Sequence, residues 1–430
     1  MLYLSDLIDR LNNMGALIRL KDRISFELEP TRRIKEAENL RKAIEFEVSG
    51  SNLKVVSNVV GDRSTLYWLM GVSGDGEAYE KLLKSLEGGG QASFIEESFS
   101  DYFKPYGGSF ETLPAIKFFK GDGGRYITSS ILVAKVPGED SFNASVHRLM
   151  LIPGKGFAVR LVPRHLYRIY TENVRSGMET PVAVMIGCDP LLLLSASTSP
   201  PYGQFEFGVY GSLMSEDVVV SYTPKYGLPV QVSASVVIEG RISKELVDEG
   251  PFVDLLNLYD GVRKQPLIKV DGIYINKASE PLFHAILPGG NEHKLLMGFP
   301  KEASIWDAVR KAVPKVHKVR LTAAGGGWLH AVISITKNVD GDAKTAIMAA
   351  FGAHPSLKHV VIVDEDIDPD SSYDVEWAIA TRFQADRDLV IIKSARGSTL
   401  DPSAADGVTA KMGLDATASI REKGKFMRPS

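Results

Sequence analysis

Two carboxylates flank a Gly-Pro turn in the segment DEGPFVDLLNLYD, residues 248–260. Glu249 lies before the turn and Asp254 after it, with two apolar residues, Phe and Val, between the proline and Asp254. A carboxylic acid in apolar surroundings can keep its proton near neutral pH and deliver it to a substrate. The proline cannot occupy a helix interior, so the same pattern also fits a plain turn at a helix that starts near Asp254. Taken alone, the segment favours that plain turn.

Two other stretches place polar side chains among apolar ones. FNASVHRLM, residues 142–150, contains Asn143 and Arg148, and QFEFGVYGSLMSED contains Glu206 among aromatic residues. Amide and carboxylate oxygens are ligands that magnesium and manganese prefer, and a guanidinium can hold a carboxylate through two parallel hydrogen bonds. The residues alone equally allow Asn143 to be a turn residue and Glu206 a charge on an edge strand.

The composition excludes several classes of protein. The 430 residues include 50 Lys+Arg and 53 Asp+Glu, a net charge of -3 that gives no field for attracting nucleic acid or anionic membranes. The longest apolar runs are too short to span a bilayer and no signal-peptide pattern opens the chain, so we expect a cytoplasmic protein without membrane insertion. The single cysteine, Cys188, excludes an internal disulfide, and its apolar neighbours predict a buried side chain.

The elements that would position these groups change in kind along the chain. SDLIDRLNNMG predicts a helix from a Ser cap, ALIRL a strand, residues 30–42 and 76–87 helices, and STLYWLMGV a strand or buried connection. From about 127 to 290, short β-rich runs punctuated by Gly and Pro predict a barrel or a folded sheet. Beyond 301, alternating strands and helices indicate an α/β layer domain.

The order of the motifs resembles the UbiD family of reversible decarboxylases, which use prenylated FMN. Collinear with the family are HAILPGGNEHKLLMG, HVVIVDEDIDPDSSYDVEWAIATRFQADRD, STLDPS and GLDAT. The fold class that the resemblance implies is a multidomain α+β protein. Its domains would be an N-terminal α/β domain (1–115), a split β-barrel flavin-binding and catalytic domain (116–300), and a C-terminal α/β layer domain with the tail, used in oligomerisation (301–430). We expect a homo-oligomer, a dimer or a hexamer, and a flavin prenyltransferase as supplier of the cofactor.

The resemblance also implies cofactor-binding residues. Asn143 and Glu206 match positions that bind Mn²⁺ or Mg²⁺ together with the phosphate of prenylated FMN, and potassium is a further expected ion. Some family members add a His ligand, and an ungapped match puts Arg164 at that place, so His165, one residue later, is either a metal ligand or a cofactor contact. The positions expected to contact the cofactor are Asn143, Val146, His147, Arg148, Arg160, Leu161, Val162, His165, Leu166 and Glu206.

Arg148, Glu249 and Asp254 match the family's catalytic groups, and the resemblance implies Asp254 as proton donor with the other two as its electrostatic partners. The implied reaction joins an α,β-unsaturated acid to the prenylated flavin as an adduct, releases carbon dioxide and protonates the remaining carbon. Within the family, the stretch from Phe142 to Val174 resembles archaeal members that convert trans-anhydromevalonate 5-phosphate to isopentenyl phosphate in a mevalonate pathway, so we expect a phosphorylated acid as substrate. The alternatives are an aromatic acid, such as a 4-hydroxybenzoate or cinnamate-like compound, and FMN oxidoreductase chemistry.

Overall fold

The computed structural model describes residues 2–88, 92–405 and 407–428. The helices, in chain order, are α1 Leu4–Asn13, α2 Glu29–Asn39, α3 Arg63–Met70, α4 Asp75–Gly88, α5 Phe99–Tyr102, α6 His165–Arg175, α7 Pro190–Ser197, α8 Glu206–Met214, α9 Asn291–Arg310, α10 Asp342–Ala353, α11 Ser372–Arg382 and α12 Ala385–Asp388. The strands are β1 Leu17–Arg19, β2 Ala43–Glu47, β3 Lys54–Ser57, β4 Phe94–Glu96, β5 Phe103–Pro105, β6 Tyr126–Lys135, β7 Phe142–Ile152, β8 Gly156–Val159, β9 Thr180–Ile186, β10 Val218–Tyr222, β11 Pro229–Gln231, β12 Val236–Glu249, β13 Phe252–Val253, β14 Tyr259–Asp260, β15 Arg263–Asn276, β16 Leu282–His284, β17 Lys315–Leu321, β18 His330–Thr336, β19 His359–Asp364, β20 Leu389–Arg396 and β21 Val408–Asp415.

The chain forms two compact units. The first comprises Met1–Ser73, Lys84–Asp254 and Leu258–Leu296, and the second comprises Gly74–Leu83, Leu255–Asn257 and Met297–Ser430. The mixed α/β content is confirmed, whereas the division at residues 115 and 300 stays a prediction.

A seven-stranded sheet dominates the first unit, in the order β12-β9-β6-β7-β8-β15-β5, and β12 also pairs with β15. Strand β7 lies between β6 and β8, so both of its edges are hydrogen-bonded. Leu132, Leu149, Phe157 and Val184, from four neighbouring strands, meet in one apolar core. Because β7 is a central strand, the polar residues along it have fixed positions.

Three smaller sheets are formed by the described residues of the first unit. They have the orders β1-β2-β3-β16, β11-β10-β4 and β13-β14. The strand or buried connection predicted for residues 64–72 is wrong, because most of it is helix α3, which Asp62 caps by accepting a hydrogen bond from the Thr65 amide. The predicted Ser cap of α1 is also wrong: the helix begins at Leu4, with Tyr3 as its N-cap.

The second unit has a five-stranded sheet in the order β17-β18-β19-β21-β20. Alternate residues of β19 face opposite sides, with Val360 and Ile362 packing in one apolar cluster and Val361 and Val363 in another. Both faces of this strand are therefore buried, as is usual for a strand with parallel neighbours.

No helix in the described ranges is long and apolar enough to cross a bilayer. Cys188 is buried, as predicted, and burial together with the charge of Asp189 raises the pKa of its thiol.

Candidate active site

Strand β7 carries the first group of predicted site residues. Asn143, Ser145 and His147 alternate along it and share one face. The Ser145 hydroxyl donates to Asn143 Oδ1 at 3.1 Å and lies 2.9 Å from His147 Nε2. His147 Nδ1 is 3.0 Å from the carbonyl oxygen of Arg160. Burial lowers the pKa of His147 to about 4, so the ring is neutral at physiological pH and serves as a hydrogen-bonding group.

Asn143 and Glu206 are brought together, although 63 positions separate them in sequence. Asn143 Nδ2 donates to Glu206 Oε1 at 2.8 Å, and the Ala144 amide donates to Oε2 at 2.6 Å. Asn143 is 3% and Glu206 2% exposed. Burial raises the pKa of Glu206 to about 8, against the opposing effect of these donors.

The two alternatives left open for this pair by the residues alone are wrong. Asn143 lies inside β7 and not in a turn, and Glu206 begins helix α8 and is not on an edge strand. A carboxylate at a helix N-terminus is favoured by the helix dipole, yet no cationic side chain hydrogen-bonds to Glu206 in the part of the chain that the structure describes.

Arg148 and Glu249 form a bidentate ion pair. Arg148 Nε donates to Glu249 Oε1 at 2.8 Å and Nη2 donates to Oε2 at 3.0 Å. The Glu249 side chain is fully buried and that of Arg148 is 16% exposed. Against the effect of burial, the hydrogen bonds and charge of Glu249 raise the pKa of Arg148. The guanidinium also lies 4.6 Å from the ring centroid of Phe252, which adds a cation–π contact.

Asp254 lies in a β-hairpin loop. The interpretation that it stands at the start of a helix is therefore wrong. Strands β13 and β14 pair Phe252 with Asp260, and the loop closes through the Asp254 amide, which donates to the Leu258 carbonyl at 2.9 Å. The Leu258 amide donates to Asp254 Oδ1 at 3.4 Å. Asp254 is part-buried. Phe252 and Val253 before it are buried, as expected from their apolar side chains.

The segment after β8 lies beside the middle of β7. The Arg160 amide donates to the Arg148 carbonyl at 3.3 Å, and the Leu161 amide donates to Gln265 Oε1 at 2.8 Å. The side chains of Leu161 and Leu166 pack in the apolar core, and their contact with a cofactor stays a prediction. Their neighbour Val162 is 37% exposed and Val146 on β7 is part-buried.

His165 is the first residue of α6 and its ring packs edge-to-face on Tyr202, with centroids 5.4 Å apart. Burial and the charges of Arg164 and Arg168 lower the pKa of His165. No group of three or more His, Cys, Asp or Glu side chains in the described ranges is arranged to hold a metal ion. A metal role for His165 therefore stays a prediction.

Sequence reasoning missed Asp260. Its Oδ2 accepts a hydrogen bond from Arg148 Nη2 at 3.2 Å and lies 3.8 Å from Arg160 Nε, while Oδ1 accepts from Arg263. The only local signal was the acid three residues before Arg263, a spacing that is common in solvated turns. It also missed Tyr126, whose hydroxyl donates to the Pro251 carbonyl at 3.4 Å.

Models of three domains match the chain in order. They describe the N-terminal domain, the Rift-related domain and the C-terminal domain of 3-octaprenyl-4-hydroxybenzoate carboxy-lyase, and match residues 8–86, 105–291 and 294–416. An anhydromevalonate phosphate decarboxylase from Aeropyrum pernix is 49% identical over 403 residues, covering 94% of this chain and 91% of the relative. The chain belongs to the UbiD family. A relative from Methanosarcina mazei with the same name is 42% identical and covers 98% of both chains.

Solved structures agree with the UbiD assignment. The UbiD-class enzyme HmfF from Pelotomaculum thermopropionicum, in complex with FMN, has a TM-score of 0.94 and 33% identity, covering 100% of this chain and 97% of that one. An evolved dimeric form of the same enzyme, in complex with prFMN, has a TM-score of 0.90 and 31% identity, covering 100% of this chain and 96% of that one. The UbiD chain described here is therefore a carboxy-lyase with the fold of this enzyme class.

Proposed function

We propose that this UbiD carboxy-lyase uses prenylated FMN to decarboxylate trans-anhydromevalonate 5-phosphate to isopentenyl phosphate. The substrate assignment rests on sequence identity: the chain is 49% and 42% identical, over nearly its whole length, to two anhydromevalonate phosphate decarboxylases. The phenolic acid decarboxylase of Bacillus subtilis is less similar, at 29% identity over 74% of this chain and 70% of that protein. The sequence therefore favours the phosphorylated aliphatic acid over an aromatic one.

Arg148 is the proposed binder of the substrate carboxylate. Its Nε and Nη2 are held by Glu249, and Nη2 is shared with Asp260. No hydrogen bond from Nη1 is seen within the described ranges, so this edge of the guanidinium can donate to a carboxylate that enters the site. Glu249 keeps the guanidinium oriented, and Asp254 on the neighbouring hairpin supplies the proton to the carbon that loses carbon dioxide.

The β7 face fits the phosphate end of a flavin and its metal ion. Glu206 is 2% exposed, and in the described part of the chain its hydrogen-bond donors are neutral amides and no cationic side chain, so its negative charge lacks a counter-charge. A hard divalent cation bound by Glu206 and Asn143 oxygens would remove that cost, and manganese or magnesium has the required preference. When bound, the prenylated flavin supplies the electron sink for decarboxylation.

The flavin ring would lie along the backbone of residues 146–148 and 160–162, which run side by side. The exposed Val162 and part-buried Val146 offer apolar surface there. The strand order β12-β9-β6-β7-β8-β15 closes on itself, because β15 also pairs with β12. We propose that this closed arrangement is the split barrel expected around a flavin. A cytoplasmic homo-oligomer, supplied with cofactor by a flavin prenyltransferase, completes the proposal.

The test is a decarboxylation assay on protein coexpressed with a flavin prenyltransferase. We expect turnover of the phosphorylated acid, with much weaker binding of the same acid without its phosphate, because a buried phosphate requires cationic or backbone partners that bind it selectively. Equal turnover of a cinnamate-like or 4-hydroxybenzoate-like acid would instead assign the aromatic class of substrate.

The proton donor is tested by Asp254→Asn in heavy water. An amide preserves shape but has no transferable proton, so we expect the flavin and metal content to stay normal while most turnover is lost. The native enzyme should place deuterium on the carbon that lost carbon dioxide. Near-native rates with normal deuterium incorporation in the variant would assign the donor role to another group.

A further inference from the structure

Asp260 is surrounded by arginines from three parts of the chain. Arg148 lies on β7, Arg160 follows β8, and Arg263 begins β15. The Asp260 side chain is 16% exposed, against 21% for Arg160 and 43% for Arg263. Arg148, Arg160 and Asp260 are largely shielded from solvent, so the ion pairs of Asp260 with these two arginines are less screened than its pair with the exposed Arg263.

The three guanidiniums repel one another, and Asp260 is the charge they share. Burial first, and then the charges of Arg263 and Arg148, lower the pKa of Arg160, while Asp260 acts in the opposite sense. Against the effect of burial, the hydrogen bond from Arg263 and the charge of Arg148 lower the pKa of Asp260. Asp260 is therefore ionised at neutral pH and is the carboxylate that all three guanidiniums approach within 4 Å.

Asp260 also joins the hairpin to the sheet. It lies opposite Phe252 in the β13–β14 pair, and Asp254 follows β13 in the same hairpin. Arg148 divides its Nη2 between Glu249, at the end of β12, and Asp260. One carboxylate thus connects the element that bears the proposed proton donor to the arginine proposed to bind the substrate.

We propose that Asp260 is a positioning residue of this active site. It supports the orientation that Glu249 gives the Arg148 guanidinium by accepting a second hydrogen bond from Nη2, which leaves Nη1 toward the substrate carboxylate, and it ties the hairpin of Asp254 to β7. This inference rests on the proposed function, because it supposes a substrate carboxylate at Arg148. Turnover by the unmodified enzyme tests that function first, so a failure there is distinct from a failure of the variants below.

The first test compares Asp260→Asn with Asp248→Asn in the flavin-loaded enzyme. Losing a hydrogen bond to a charged group should lower kcat/KM about 10- to 100-fold in Asp260→Asn, while the flavin content stays native. Asp248 is the matched control: it is the neighbour of Glu249, and its pair with Lys264 at 3.0 Å is 62–64% exposed. We expect Asp248→Asn to stay within about twofold of the native kcat/KM, as exposed pairs contribute little. A native kcat/KM in Asp260→Asn would overturn the proposal.

The second test is the pH profile of kcat, whose alkaline limb reports the loss of the donor's proton. Removing the charge of Asp260 leaves excess positive charge, which favours the ionised donor, so the limb should move to lower pH in Asp260→Asn. Arg263→Gln removes a positive charge and should move the limb to higher pH. Other ionisable groups around Arg148 and the hairpin that all variants retain are Glu249, Arg160, Tyr126, His293 and Asp122, which accepts from the backbone of Val253 beside the donor.

The alkaline limb is expected to move in opposite directions in Asp260→Asn and Arg263→Gln. This difference distinguishes a positioning role from a general loss of structure. A residue that only stabilises the fold would lower activity without moving the limb, and that result in Asp260→Asn would overturn the proposal. If Asp260→Asn loses its flavin, the pH profile of Arg263→Gln becomes the deciding measurement. The Arg263 side chain is 43% exposed, so it can be replaced without opening the core. An unmoved limb, or one moved to lower pH, in Arg263→Gln would also overturn the proposal.

Discussion

Glu206→Gln in the protein without flavin and metal tests the uncompensated charge directly. The ordinary pKa of a glutamate is 4.5, and burial raises that of Glu206 to about 8. A group whose pKa is raised in the folded state binds its proton more tightly there than in the unfolded chain. Its contribution to the free energy of unfolding is therefore complete below about pH 4.5 and is lost as the pH rises toward 8.

The magnitude follows from this pKa difference. Each whole pKa unit corresponds to about 1.4 kcal/mol, so between pH 5.5 and pH 8 the raised pKa of Glu206 should cost the native protein about 3 kcal/mol. Glutamine cannot ionise and still accepts a hydrogen bond, so the variant should not show this loss. At pH 8 the free energy of unfolding of Glu206→Gln should exceed that of the native protein by a comparable amount. This gain is reduced because the new amide nitrogen must face a donor, either Asn143 Nδ2 or the Ala144 amide.

The assay is denaturant unfolding of both cofactor-free proteins at the two pH values, followed by circular dichroism. Glu96→Gln is the control, since Glu96 lies on strand β4 and is exposed, and it should keep the native slope with pH. The reasoning is refuted if native protein and Glu206→Gln lose stability in parallel between pH 5.5 and pH 8. Such a result would mean that water or relaxation already compensates the buried charge.

Two further predictions concern Arg148 and Cys188. Arg148→Lys keeps the charge but cannot make the bidentate pair with Glu249, so kcat/KM should fall about 100-fold with the flavin content unchanged; turnover within threefold of native would show that charge alone suffices. Cys188 is buried and the pKa of its thiol is raised, so iodoacetamide at pH 8 should leave the native protein unlabelled by mass spectrometry and label it only in denaturant.

Part of the site could be predicted because its residue types are unusual in their surroundings. A glutamate among aromatic residues and an arginine in an apolar run are costly to bury without a function or a partner, and the structure buries Glu206 and Arg148 with partners. Side-chain direction could not be predicted in the same way. Leu161 and Leu166 fall within the resemblance, yet both turn into the core, because the pairing of the strands and the packing of α6 decide which face is inside.

The sequence by itself determined the chemical groups, their family and the buried apolar residues, Phe252 and Val253, that follow the Gly-Pro turn. Tertiary structure decided that Asp254 sits in a hairpin loop, because β13 pairs with β14 instead of leading into a helix. It also decided that Asp260 joins the site, since the contacts of Arg148 with Glu249 and Asp260 span 101 and 112 positions. Local patterns report only on neighbours within a turn or a strand, whereas these contacts depend on the register of the seven-stranded sheet, which brings β7, β12 and the hairpin together.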